Sequence, residues 1–141
     1  MNAMSNTRAI RLTWSGEGLR FSGSGTQPET PAVSIDGDGA AGPSPMLMLL
    51  LAAASCSGSD VVVILEKMRA GLRDLTVDVM GTRREQDPKR YTKITFRFTM
   101  SGAALDAAKA EHAVTLSLEK YCSVVHSLAP DMAVSHEIAL V

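Results

Sequence analysis

Aromatic side chains are scarce in this chain of 141 residues: three phenylalanines, two tyrosines and one tryptophan, 4% of the whole. A core must therefore be filled by aliphatic residues and by the eight methionines, whose flexible thioethers make it soft and adaptable. Neither sign of charge dominates. Fourteen basic residues face fifteen acidic ones, for a net charge of −1, so nothing steers the chain toward nucleic acid or an anionic membrane. The one basic cluster, Arg83, Arg84, Lys89 and Arg90, is interrupted by Glu85 and Asp87 and reads as a solvated hairpin tip. The apolar run from Met46 to Ala54 is less than half the ~20 residues a membrane helix needs. The segment bearing Arg8 and Arg11 alternates in polarity and lacks the apolar stretch of a signal peptide. The expectation is a cytoplasmic protein, in which thiols are kept reduced and a disulfide is transient or catalytic.

Only two cysteines are present, Cys56 and Cys122, and they make no CxxC pair, which removes a thioredoxin-type motif and a zinc knuckle. Length argues for a single domain, 1–141, large enough to bury roughly two-thirds of its unfolded surface. Its N-terminal part, about 8–36, reads as antiparallel β. Ile10, Leu12 and Trp14 alternate with Arg11, Thr13 and Ser15, and Ser15-Gly16-Glu17-Gly18 supplies a turn before Leu19 and Phe21. Ser44-Pro45 then starts a helix, a capping hydroxyl ahead of proline at the first helical position, which extends over about 45–70 and holds Cys56. Met46 to Leu51 point apolar groups in every direction, so this helix must be covered all round, an expectation that calls for a second subunit.

A hairpin follows over about 74–101, where Ile94, Phe96, Phe98 and Met100 alternate with Lys93, Thr95, Arg97 and Thr99. Helices over about 103–128 hold Cys122, and a closing strand covers about 132–141. Strands, a buried helix, strands, helices and a strand make an α+β fold.

Two motifs dissolve on inspection. Gly37-Asp38-Gly39-Ala40-Ala41-Gly42 spells GxGxxG, but Pro43 and Pro45 interrupt the helix start that should offer amides to a pyrophosphate, and a glycine loop explains the letters. His126 follows Cys122 by one helical turn, yet two ligands do not make a structural zinc site, and His112 or His136 would join it only by accident of folding. No metal or cofactor is expected.

Cys56 itself is ambiguous. It lies about three turns into its helix, beyond useful reach of the macrodipole, and Asp60 one turn later opposes thiolate formation. From the residues alone, a redox pair and two inert buried thiols both stand.

The segments Gly42-Pro43-Ser44-Pro45-Met46, Ala54-Ser55-Cys56-Ser57-Gly58-Ser59-Asp60-Val61-Val62 and Glu119-Lys120-Tyr121-Cys122-Ser123-Val124 resemble the two cysteine helices of the OsmC/Ohr family. Arg83-Arg84-Glu85 between them is similar to an uncharacterised OsmC-like subgroup rather than to the characterised peroxidases. The resemblance implies an intertwined homodimer, with antiparallel sheets wrapped around two central buried helices. It implies a cofactor-free, thiol-dependent reduction of organic hydroperoxides, with Cys56 peroxidatic, Cys122 resolving and a dithiol as reductant. In such proteins an arginine holds the thiolate, for which Arg20 and Arg11 are the candidates here, and Met46, Met48, Leu49 and Ala52 are the expected pocket wall. The peroxidases also carry a glutamate in the first turn of the cysteine helix, where this chain reads Met46-Leu47-Met48. The rival reading is a non-catalytic protein of the same fold that binds a small apolar ligand at the dimer interface.

Overall fold

The computed structural model describes residues 6–141. The chain divides after Leu49 into two compact units, each with its own three-stranded sheet. In the first, β1 (Ile10–Trp14), β2 (Arg20–Gly25) and β3 (Val33–Asp36) form an antiparallel meander in that order. The β1–β2 turn is closed by the Ser15 amide on the Arg20 carbonyl, 2.9 Å, and by the Trp14 indole N–H on the Gly18 carbonyl, 3.0 Å. The sequence alternation is the true pleat of β1, and its apolar members Ile10, Leu12 and Trp14 are exposed.

Asp36, at the end of β3, explains the glycine-rich letters that follow it. Its buried carboxylate accepts from the backbone amides of Asp38 (2.8 Å), Ala41 (2.9 Å) and Ala40 (3.3 Å). Those amides, led by Ala41, hold its carboxyl below the ordinary carboxylate range, with Arg20 at 3.6 Å adding a smaller pull. The loop thus wraps an anion that the chain itself supplies. A Cβ on Gly42 would collide with the Ser34 carbonyl, so glycine there permits close backbone approach.

Helix α1 (Pro45–Lys67) starts where Ser44 Oγ accepts from the Leu47 amide, 3.3 Å. At 23 residues and with a mean hydropathy of 2.0 over its most apolar window, it is long and apolar enough to cross a bilayer by length and composition. That is more than the run Met46–Ala54 suggested, because Val61–Leu65 continues the apolar character beyond Asp60. Its buried residues, Leu50, Ala53, Ser57, Gly58, Val61 and Leu65, recur at helical spacing as one stripe.

That stripe packs in the second unit on β4 (Leu72–Arg83), where Val77 and Leu75 lie against Gly58. β4 pairs antiparallel with β5 (Tyr91–Gly102), placing Val77 opposite Phe98. Ile94, Phe96, Phe98 and Met100 turn one face of β5 wholly inward, and the Phe96 and Phe98 rings stack at 5.9 Å between centroids. Burying each such side chain contributes roughly 1.5–3 kcal/mol, which makes β5 the spine of the unit.

Three details depart from the sequence reading. Helix α2 spans Ala107–Leu116 rather than starting at Ala103, because the amides of Ala103 and Ala104 bond the carbonyls of Gly71 and Ala70 and Asp106 caps the helix through the Lys109 amide, 2.8 Å. The chain then makes a π-helical turn, Ser117–Tyr121, before a short α3, Ser123–His126. Crossing over through these helices brings β6 (Ala133–Leu140) alongside β5 in parallel, with Phe96 opposite His136. The second sheet is therefore mixed in direction within an α+β fold, since only a crossover of this length can deliver a parallel neighbour.

Candidate functional site

The two cysteines meet. Cys56, half-buried on α1, and Cys122, fully buried at the end of the π-helical turn, are both free thiols, with the Cys56 sulfur near enough to push up the Cys122 thiol. Cys122 does not sit inside a helix as expected. The π-helical turn ends with its amide on the Ser117 carbonyl at 2.7 Å, and its backbone is extended, with φ −70° and ψ 99°. Its own carbonyl then takes the His126 amide, 3.0 Å, to start α3. At this break between helices the extended backbone of Cys122 directs its thiol toward Cys56 on α1.

The surroundings keep Cys122 protonated. Burial pushes its thiol up to about 11, the Cys56 sulfur and the Asp60 carboxylate add to the rise, and a bond from the Val125 backbone opposes it. The sequence reading set Asp60 against the Cys56 thiolate. In the structure, the Asp60 carboxylate accepts from Ser117 Oγ at 2.9 Å and its charge acts on Cys122.

Sequence reasoning missed two serines. Ser57 and Ser117 are both fully buried, and their hydroxyls lie 2.9 Å apart. Because the Ser117 proton goes to Asp60, the Ser57 hydroxyl is the donor between them, giving the chain Ser57 to Ser117 to Asp60. Ser57 is next to Cys56, but nothing in the spacing of Ser117 announces this contact, which the π-helical turn creates. A buried hydroxyl without a partner is costly, so the three side chains hold one another in place.

Arg20, on β2, reaches Asp36 at 3.6 Å and Glu17 at 3.9 Å, and Arg11 lies exposed on β1. Met46, Met48 and Leu49 are half-buried and Ala52 is exposed. An open apolar groove runs further along α1, where Leu51, Ala54, Val62 and Val63 face Leu75 and Val77 of β4. His136 pairs with Glu111 at 2.9 Å. Among the described residues, no group of three or more His, Cys, Asp or Glu side chains is arranged to hold a metal.

Comparison with known proteins agrees with this architecture. The family model described as OsmC-like protein matches residues 36–137. Protein YhfA of Escherichia coli K12 is 39% identical over 85 residues, a stretch that covers 60% of this chain and 63% of that relative, short of two-thirds of its length. The crystal structure of a hypothetical protein from Aquifex aeolicus superposes with a TM-score of 0.82 at 31% identity, covering 96% of this chain and 98% of the other. An organic hydroperoxide resistance protein from Legionella pneumophila shares the fold at a TM-score of 0.64 and 14% identity, over 94% of this chain and 96% of that one. With the family model covering most of the chain, this protein belongs to the OsmC-like family.

Proposed function

We propose that the protein reduces organic hydroperoxides with its two cysteines. The observation that carries the reading is the meeting of Cys56 and Cys122, the more accessible thiol against the wholly buried one. The Cys56 thiolate attacks a peroxide oxygen, the O–O bond breaks, and the alkoxide takes up a proton to leave as alcohol. Cys56 is left as a sulfenic acid. Cys122 attacks that sulfur, a disulfide forms, and the oxygen departs as water. A small dithiol then reduces the disulfide by exchange, and the reaction needs no metal or cofactor.

Family membership and a structural neighbour that is an organic hydroperoxide resistance protein support the same reading. Arg20 or Arg11 is proposed to hold the Cys56 thiolate, and Met46, Met48, Leu49 and Ala52 to wall the substrate. The protein is proposed to be cytoplasmic and to work as a homodimer. Exposed Leu51, Val62 and Val63 on α1 support an assembly that buries the rest of that helix.

Two features support a second reading, binding of a small apolar ligand without catalysis. The first turn of α1 has no acidic residue, and the groove along the helix is apolar and open. Consumption of an organic hydroperoxide with dihydrolipoamide or dithiothreitol separates the two. Turnover by the wild type that Cys56→Ser abolishes is expected; equal consumption by both proteins would remove the thiol mechanism.

A further inference from the structure

A resolving cysteine faces a chemical difficulty here. It must lose its proton to attack, yet Cys122 is buried away from water, which would otherwise accept that proton. One carboxylate, that of Asp60, acts on this thiol. Ser117 grips both partners, its hydroxyl donating to Asp60 at 2.9 Å while its carbonyl accepts the Cys122 amide at 2.7 Å. Asp60 lies one turn beyond Cys56 on α1, and with Ser117 it forms a small polar island whose charge reaches Cys122. Ser57 completes the island from behind, with its hydroxyl 2.9 Å from that of Ser117.

We propose that Asp60 is the proton acceptor for Cys122 when the two thiols are bridged, and that Ser117 positions it. The assignment deepens the two-thiol reading above and rests on it. In the step, the Cys122 S–H proton passes to the Asp60 carboxylate, and the sulfur electron pair forms the S–S bond to Cys56. The Cys56 S–O bond breaks, and the departing hydroxide recovers the proton from Asp60 to leave as water. One sulfur is oxidised and the other reduced, so no further oxidant is consumed. A carboxylate this close raises the cost of a free Cys122 thiolate, but the cost vanishes when the carboxylate takes the proton itself, because no second negative charge is created.

The groups facing Cys122 define what a pH profile can report. From α1 they are Cys56 and Asp60. On its own segment the neighbouring titratable groups turn elsewhere: the Lys120 ammonium lies 5.2 Å from the ring centroid of the exposed Tyr121, and His126 meets Cys122 through its backbone amide. Of these, Asp60 alone is a carboxylate tied by a hydroxyl to the turn that carries Cys122.

The test separates bridging from peroxide chemistry. A nitrobenzoate aromatic disulfide reacts with the reduced protein in two phases. Attack by Cys56 releases one coloured thiolate, and attack by Cys122 on the resulting mixed disulfide releases a second. The expected result is that Asp60→Asn lowers the rate of the second phase relative to the first by about a hundredfold or more at neutral pH, from the lower end of the range that general bases supply. The residual second phase should then climb with pH as Cys122 ionises by itself, whereas the wild type is far less pH-dependent. Asp60→Glu should recover part of the rate, and Ser117→Ala should slow the second phase but add nothing once Asp60→Asn is present. An unchanged phase ratio and pH profile in Asp60→Asn, or full additivity with Ser117→Ala, overturns the assignment. Cumene hydroperoxide consumption by the wild type, measured in parallel, judges the other claim. Asp60-dependent bridging without peroxide turnover would support the proton assignment and overturn the peroxidase reading, and peroxide turnover with Asp60-independent bridging would do the reverse.

Discussion

The Ser117 hydroxyl donates to the Asp60 carboxylate across two elements that are far apart in the chain, and both groups lie beside the thiol pair. One π-helical turn accounts for this. Its wider ring lets the Ser117 carbonyl take the Cys122 amide five residues on, which brings the serine side chain toward α1 and ends the helix at the cysteine.

The meeting of the thiols leads to a first expectation. One equivalent of cumene hydroperoxide should join Cys56 to Cys122, a bridge that needs Cα atoms within ~7 Å or a small local shift. Disulfide mapping by mass spectrometry checks it. Over-oxidised Cys56 beside a free Cys122 would leave at most a one-cysteine mechanism.

Alkaline pH should loosen the fold through Cys122. Folded, its thiol keeps its proton up to about 11, against an ordinary value of 9.0, so between these limits the unfolded chain has lost a proton that the native one retains. Stability therefore falls as pH rises through that window, by ~2–3 kcal/mol at most from this group. Tyr91, pushed up by its own burial, adds to the same trend at higher pH. Chemical denaturation at a series of pH values should show a shallower decline in Cys122→Ala, and an identical slope would remove Cys122 as the cause.

The faces of α1 can be tested one at a time. Leu50 points into the sheet of its own unit, near Gly81, so Leu50→Asp should unfold the protein through an uncompensated core charge costing several kcal/mol. Val62 is 42% exposed, so Val62→Lys should leave the subunit folded and weaken self-association. Sedimentation at micromolar concentration reads both outcomes. A folded wild-type monomer there would contradict the homodimer.

If peroxide is the substrate, bulky organic hydroperoxides should outrun hydrogen peroxide. Met46, Met48, Leu49 and Ala52 offer apolar contact worth ~25 cal/mol per Å² buried, which a small polar peroxide cannot use. Comparing kcat/KM for cumene hydroperoxide and hydrogen peroxide settles the matter, and parity would count against an apolar substrate wall.

Residue patterns along the chain were enough to specify the α+β class, the start of α1 and the inward face of β5. Each rests on local periodicity or on a capping pair, as in Ser44-Pro45 and in Ile94, Phe96, Phe98 and Met100. The sequence also marked both cysteines, because they are the only two and sit in distinctive segments. The remaining features depend on contacts between distant parts of the chain. The start of α2 depended on where the Ala103 and Ala104 amides found carbonyls, and the parallel setting of β6 depended on a crossover. Asp36, not a phosphate, fills the amide cradle of the glycine loop. Asp60 looked like a hindrance to Cys56 while only spacing along one helix was visible. Its partner Ser117 lies on another element, and hydrogen bonds between side chains remote in sequence leave no period for a single chain to display.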